Sequence, residues 1–209
     1  MAKKVIITIA RQYGSGGREV GEKVSEKLNI PIYDKLLITE AAAKGEFNED
    51  VLKMADESAA SSLLYTLAMG SNSLGAAMHF GYKMPLNDKL FLLQSDVIRE
   101  YAESGSGIFI GRCADYVLKN EEKIIRVFIY GDLEHRCQRV LERHPDLKSS
   151  QVIDVINKVD KRRSTYYNFY TGNKWGKFDN YDIAINSSNL GIEGTADIIC
   201  RFVNEIMKK

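Results

Sequence analysis

The sequence predicts an α/β protein of three layers, with a parallel sheet between helices, and three observations carry the expectation. Compact β-branched runs recur and stop abruptly at glycine or polar residues: VIITIA at Val5–Ala10, GIFI at Gly107–Ile110, IIRVFIY at Ile124–Tyr130 and DIAIN at Asp182–Asn186. Such runs mark strands buried on both faces. Amphipathic segments separate them, and a parallel pair needs a crossover of this kind, nearly always a helix. The length of 209 residues is about 1.4 times a typical domain, enough for one domain with an inserted segment.

The elements follow in order. After the first run, Val20, Val24 and Leu28 recur every four residues and predict a helix from about Arg18 to Asn29 with one apolar stripe. Pro31 opens a short extended piece ending at Asp34, and a helix is expected from Lys35 to about Lys44. From Glu46 to Ser104 strand signals almost vanish, while Leu86, Leu90, Leu93, Val97 and Tyr101 keep helical spacing, so this stretch reads as a helical insertion. Within it, Ala68–Pro85 is rich in Gly, Ser and Met and is expected to contain a mobile loop. Helices are expected around Leu133, Cys137, Val140 and Leu141, then from about Ser149 to Tyr167, and last around Ile192, Ala196, Ile199, Val203 and Ile206.

The charges nearly cancel, 29 Lys and Arg against 28 Asp and Glu for a net +1, with 44% hydrophobic and 27% charged residues. That composition disfavours disorder, collagen and coiled coil, and without a global basic field no nucleic-acid partner is expected. Cys113, Cys137 and Cys200 are odd in number and lack C-x-x-C spacing, which points to a reducing, cytoplasmic setting without disulfides or zinc. The start MAKKVIITIA is too short in apolar residues for a secretory signal, and no apolar run is long enough to cross a membrane. His79, His135 and His144 lack metal or triad spacing and no G-x-S-x-G elbow occurs, against hydrolase chemistry.

In open parallel sheets, ligands bind beyond the carboxyl ends of the strands. The segments at those ends are RQYGSGGR, YD, GRCAD, YGD and NSS. Gly14, Ser15, Gly16, Gly17 and Arg18 stand between the first strand and the first helix, where backbone N–H groups and the helix N-terminus converge on an anion. Three glycines remove the Cβ atoms that would keep phosphate oxygens away. A tight turn that binds nothing is the alternative.

On these residues the chain resembles the cytidylate kinase-like branch of the P-loop nucleoside monophosphate kinases. The resemblance rests on the glycine loop, on GR-x-x-D at Gly111–Asp115, on the arginine-bearing helix after FIY, and on DKRR at Asp160–Arg163 followed by YDIAIN and GIE. The segment YYNFYTGNKWG looks like a signature of this branch. It implies a P-loop NTPase fold with a five-stranded parallel sheet, ATP with Mg²⁺ as phosphoryl donor, and a nucleoside monophosphate such as CMP or dCMP as acceptor. The loop departs from the family's G-x-x-G-x-G-K-G-T. Laid on it without gaps, Arg11–Glu19 places Gly17 at the lysine, Glu19 at the magnesium-binding threonine and Arg11 at the opening glycine. Either Arg11 or Arg18 supplies the missing cation, with Glu19 reaching Mg²⁺ directly or through water, or the loop holds a phosphate without transferring it.

The resemblance also assigns Arg112 to the acceptor phosphate, while Asp34 either opens the acceptor-binding segment or caps the next helix. Arg136 and Arg139, three apart on one helix face beside Arg143, are expected to supply one lid arginine over the transferred phosphoryl. Asp160 and Arg163 recover half of the family's R-D-x-x-D-x-x-R and are expected at the acceptor. Tyr166, Tyr167, Phe169, Tyr170 and Trp175 either stack on a base or pack a helix end or a subunit contact. The reading is one P-loop kinase-like domain over 1–209, with a helical acceptor-binding insertion at about 46–104 and a lid at about 132–165. Its function is ATP-dependent phosphoryl transfer to a small nucleotide, the alternative being a catalytically impaired nucleotide-binding or sensing protein. A homo-oligomer is left open.

Overall fold

Strand β1 (Ile6–Arg11) runs through the middle of a five-stranded sheet in the computed structural model, which describes residues 4–34 and 86–208. Its neighbours are β3 (Gly107–Ile110) and β4 (Ile124–Tyr130), with β2 (Ile32–Tyr33) beyond β3 and β5 (Ile183–Asn186) beyond β4. Every pairing is parallel. The central position follows from composition: Ile6, Ile7 and Ile9 are all but inaccessible to solvent, and each such side chain contributes about 1.5–3 kcal/mol on burial.

The described helices are α1 (Gly17–Leu28), α2 (Leu86–Ser104), α3 (Ala114–Val117), α4 (Leu133–Arg143), α5 (Val152–Thr171) and α6 (Ser187–Met207). Val20 and Val24 of α1 and Ala196, Ile199 and Val203 of α6 share one core with Ile7, Ile9, Ile108 and Ile110. At Gly21 a Cβ would come within 2.8 Å of Ile110 Cδ1, so glycine there lets α1 lie close to the sheet. Phe109 points to the opposite face by the alternation of the strand. There it stacks on Tyr33, which stacks on Tyr101 of α2 at 4.4 Å. Helices therefore cover both faces, as the sequence predicts.

Two compact units divide the chain, Met1–Lys35 with Ile98–Lys209, and Leu36–Val97. The sheet and all the candidate residues named above belong to the first. The helical spacing of Leu86 to Tyr101 is borne out by α2, whereas the expectations for Lys35–Lys44 and Ala68–Pro85 lie outside the described residues. No described helix is long and apolar enough to cross a membrane.

Three boundaries differ from the sequence reading. A 3₁₀ turn at Ser149–Gln151 precedes α5, which runs on to Thr171 and stops where Gly172 takes a left-handed conformation. Strand β5 starts at Ile183 because Asp182 folds back on β4, its amide donating to Arg126 O and its carboxylate accepting from Arg126 N. Helix α6 starts at Ser187, under an Asn186 cap, and is broken at Gly191.

Candidate phosphate-binding site

The segment between β1 and α1 wraps over the carboxyl end of the central strand. Gly14 (φ 80°) and Gly16 (φ 76°) hold left-handed backbone that side chains rarely adopt. A Cβ at Gly14 would lie 2.8 Å from Arg136 O, and one at Gly16 would collide with Ile192 Cδ1. Among the described residues the amides of Gly14, Gly16, Gly17 and Arg18 have no protein acceptor. They gather at the N-terminus of α1, where the first intrahelical bond is Val20 N to Gly16 O. Open amides at the positive end of a helix form an anion cradle.

What keeps the cradle open is a set of tethers, one local and the rest long-range. The Ser15 hydroxyl donates to Gln12 O at 2.9 Å, and the Ser187 hydroxyl donates to Ser15 O at 2.7 Å. Gln12 Oε1 accepts from Gly131 N. Tyr13 is held on every side. Its amide donates to Asp160 at 2.7 Å, its carbonyl accepts from Arg136, its hydroxyl lies 3.2 Å from His144 Nε2, and Arg163 sits over its ring. Tyr13 also packs against Val140, Val152 and Ile156, the small core between α4 and α5.

Asp160 and Arg136 thus meet beneath the loop, 2.8 Å apart and largely buried. Burial pushes the Asp160 carboxyl up, while the Tyr13 amide, Arg163 and Arg136 pull it back down. In this arrangement Asp160 fixes the loop, and Arg136 spans from it to Tyr13 O. Neither Tyr13 nor Ser187 stands out in the sequence, because their partners lie 147 and 172 residues away.

A second group forms where β1 and β3 end. The Arg11 guanidinium lies against Gly111, whose left-handed backbone has no Cβ to obstruct it. Arg163 donates to Arg11 O at 2.9 Å. Burial, then the charges of Arg163 and Arg112, lower the Arg11 guanidinium to about 9, with Asp34 opposing them. A cation under that pressure favours an anion. Arg112 (φ 55°) follows Gly111 and stands over the Tyr166 ring. Arg18, exposed, pairs with Glu22 and with Asp34 at 3.0 Å.

The lid candidates separate. Arg136 is buried under the loop, whereas Arg139 and Arg143 both pair with Glu19 in the first turn of α1. Arg139 lies directly over the loop, since a Cβ at Gly16 would come within 3.2 Å of its Nη2.

The aromatic residues mostly pack on one another and on β4. Trp175 meets Phe128 edge-on, Tyr181 tilts against the same ring, and Tyr166 and Phe169 contact Tyr170. The Tyr167 hydroxyl donates to buried Asp115 at 2.6 Å. Burial raises the Asp115 carboxyl despite that bond, and raises the neighbouring Cys113 thiol too. All three cysteines are free thiols.

The strand order β2-β3-β1-β4-β5, with an amide cradle between β1 and α1 and arginines on the helix after β4, defines a protein of the P-loop kinase class. Residues 6–189 match the cytidylate kinase-like family, and the chain belongs to that family. It is 31% identical over 106 residues to the cytidylate kinase of Methanococcus aeolicus, a match that takes in 50% of this chain and 59% of that relative's length. An uncharacterised protein from Eubacterium ventriosum has a crystal structure 28% identical to this chain. Its TM-score is 0.72, with 96% of this chain and 99% of that one covered. Shikimate kinase from Acinetobacter baumannii, solved with shikimate, shares the fold at 12% identity with a TM-score of 0.51, over 98% of this chain and 95% of its own.

Proposed function

We propose that this chain transfers the γ-phosphoryl group of ATP to the phosphate of a nucleoside monophosphate of the CMP or dCMP type. The observation that carries the reading is the pair of anion-binding devices at the end of β1: open amides of Gly14, Gly16, Gly17 and Arg18 on one side, and Arg11 with Arg112 and Arg163 on the other. One suits the donor polyphosphate and the other an acceptor dianion. Family membership and the M. aeolicus relative support the nucleotide as substrate class.

In this reading an acceptor phosphate oxygen attacks the γ-phosphorus, the bond to the β–γ bridging oxygen breaks, and ADP leaves with its electrons. Catalysis of such a transfer is positioning plus charge stabilisation. The tethers on Tyr13, Ser15 and Gln12 hold the amides in place beforehand, so no reorganisation is needed when charge develops. Arg11 takes the cationic role that the missing lysine leaves, because Arg18 is exposed and engaged with Glu22 and Asp34. Arg112 and Arg163 hold the acceptor, and Arg139 covers the transferred group.

A resident magnesium ion does not fit the residues at the loop. The carboxylate at its expected position, Glu19, is paired through both oxygens with Arg139 and Arg143.

A coupled assay of ATP consumption across the nucleoside monophosphates tests the proposal, with turnover highest for CMP or dCMP. No turnover with any acceptor, in a protein that still binds ATP, replaces it with a second reading. That is a nucleotide-binding protein on a kinase fold, a reading favoured by Gly17 at the lysine position. Its melting temperature would rise with ATP alone, as for any ligand of the native state.

A further inference from the structure

Glu19 occupies the position where a hydroxyl holds magnesium in P-loop enzymes, and its surroundings are those of an ion pair. Both carboxylate oxygens meet guanidinium groups of α4, from Arg139 and Arg143. Arg139 also rests on Gly16, and its Nε is buried without an acceptor. Two guanidinium groups against one carboxylate leave a positive charge over the N-terminus of α1, whose dipole has the same sign.

We propose that Arg139 and Arg143, anchored by Glu19, replace magnesium as the charge that holds a polyphosphate on the loop, so that polyphosphate binding is independent of divalent cations. The inference rests on the phosphoryl-transfer reading of the loop and sharpens it. Guanidinium groups donate bidentately to phosphate oxygens, and Glu19 keeps the pair aimed at the cradle until a phosphate competes for them. Glu19 is then the counter-charge that a phosphate displaces from Arg139 and Arg143 rather than a metal ligand.

Calorimetric titration of the full chain with inorganic tripolyphosphate, once in millimolar magnesium and once in EDTA, tests this. The expected dissociation constants agree within about threefold. Arg139→Ala weakens binding in EDTA by about tenfold or more, the loss of a charged hydrogen bond. Glu19→Gln removes the competing charge at nearly constant size and tightens binding in EDTA severalfold, a change that a merely structural role would not produce. Circular dichroism and thermal unfolding establish that both variants are folded.

Wild-type binding that is about tenfold or more weaker in EDTA overturns the inference and leaves the phosphate loop standing. So does Glu19→Gln weakening binding only in magnesium, the signature of a metal ligand, and so does Arg139→Ala without effect in EDTA. No binding in either condition overturns the phosphate-loop reading, and this inference with it.

Discussion

The loop after β1 and the turn after β3 leave adjacent strands at the same edge of the sheet and are built in opposite ways. In the loop, the left-handed positions are Gly14 and Gly16, and the amides of Gly14, Gly16, Gly17 and Arg18 have no acceptor among the described residues. In the turn, Gly111, Arg112 and Cys113 are left-handed in succession, two of them with a Cβ. Each such residue costs about 1–2 kcal/mol. The turn keeps a guanidinium at the price of backbone strain, while the loop gives up its side chains to expose amides. Strain of this kind persists where surroundings over-determine it, and here Cys113 and Asp115 are buried with Tyr167 bonded to the carboxylate.

Substitutions at four positions break or sharpen the contrast. Asp160→Ala leaves Arg136 charged and largely buried beneath the loop and strips Tyr13 of its acceptor. The expected loss is about 3–5 kcal/mol, read from urea unfolding. Gly16→Asp forces a Cβ into Ile192 and a carboxylate into the cradle; it should cost about 2–4 kcal/mol and abolish ATP binding by calorimetry.

On the turn side, Tyr167→Phe removes the donor to Asp115 and should cost about 1–3 kcal/mol at neutral pH. Burial already raises Asp115 in the folded protein above its unfolded value of about 3.9, and loss of the hydroxyl raises it further. A raised carboxyl adds stability that is fully present below the unfolded value and is lost as pH rises through the folded one. The deficit of Tyr167→Phe should therefore be smallest near pH 4 and grow toward neutrality. Arg112→Gly and Arg112→Ala should both depress kcat/KM for the acceptor, with the glycine variant more stable than the alanine one by about 1 kcal/mol. Equal stabilities would mean the left-handed turn carries no strain.

Local pattern announces the strands and the loop. Ile6, Ile7, Ile9 and Ile108 to Ile110 are β-branched or aromatic because they are buried between helix layers, and that requirement is written residue by residue. The glycines of the loop are equally legible, since backbone conformation and steric room select them one at a time. Asp160 illustrates what is not legible. Its sequence neighbours Lys161, Arg162 and Arg163 suggest a phosphate-facing cluster, yet its carboxylate turns to Tyr13 and Arg136, a choice made by the packing of α5 on α4. The partners of Glu19 are hidden for the same reason: Arg139 lies 120 residues on, and only the folded sheet brings α4 beside α1. The left-handed Arg112 and Cys113 give no sign in a composition that usually places glycine there.

The hydrogen bond from Ser187 to Ser15 O spans 172 residues, and it sets an order of events. Contacts so distant in sequence close late, because the entropy of joining the ends must be met before they form. A growing chain emerges N-terminus first, so the glycine loop is made before β5 and α6 and waits for them before its carbonyl is tied down. The final shape of the loop thus depends on β5 and α6 having docked, so any ligand that needs that shape would report on the folded sheet rather than on the loop alone.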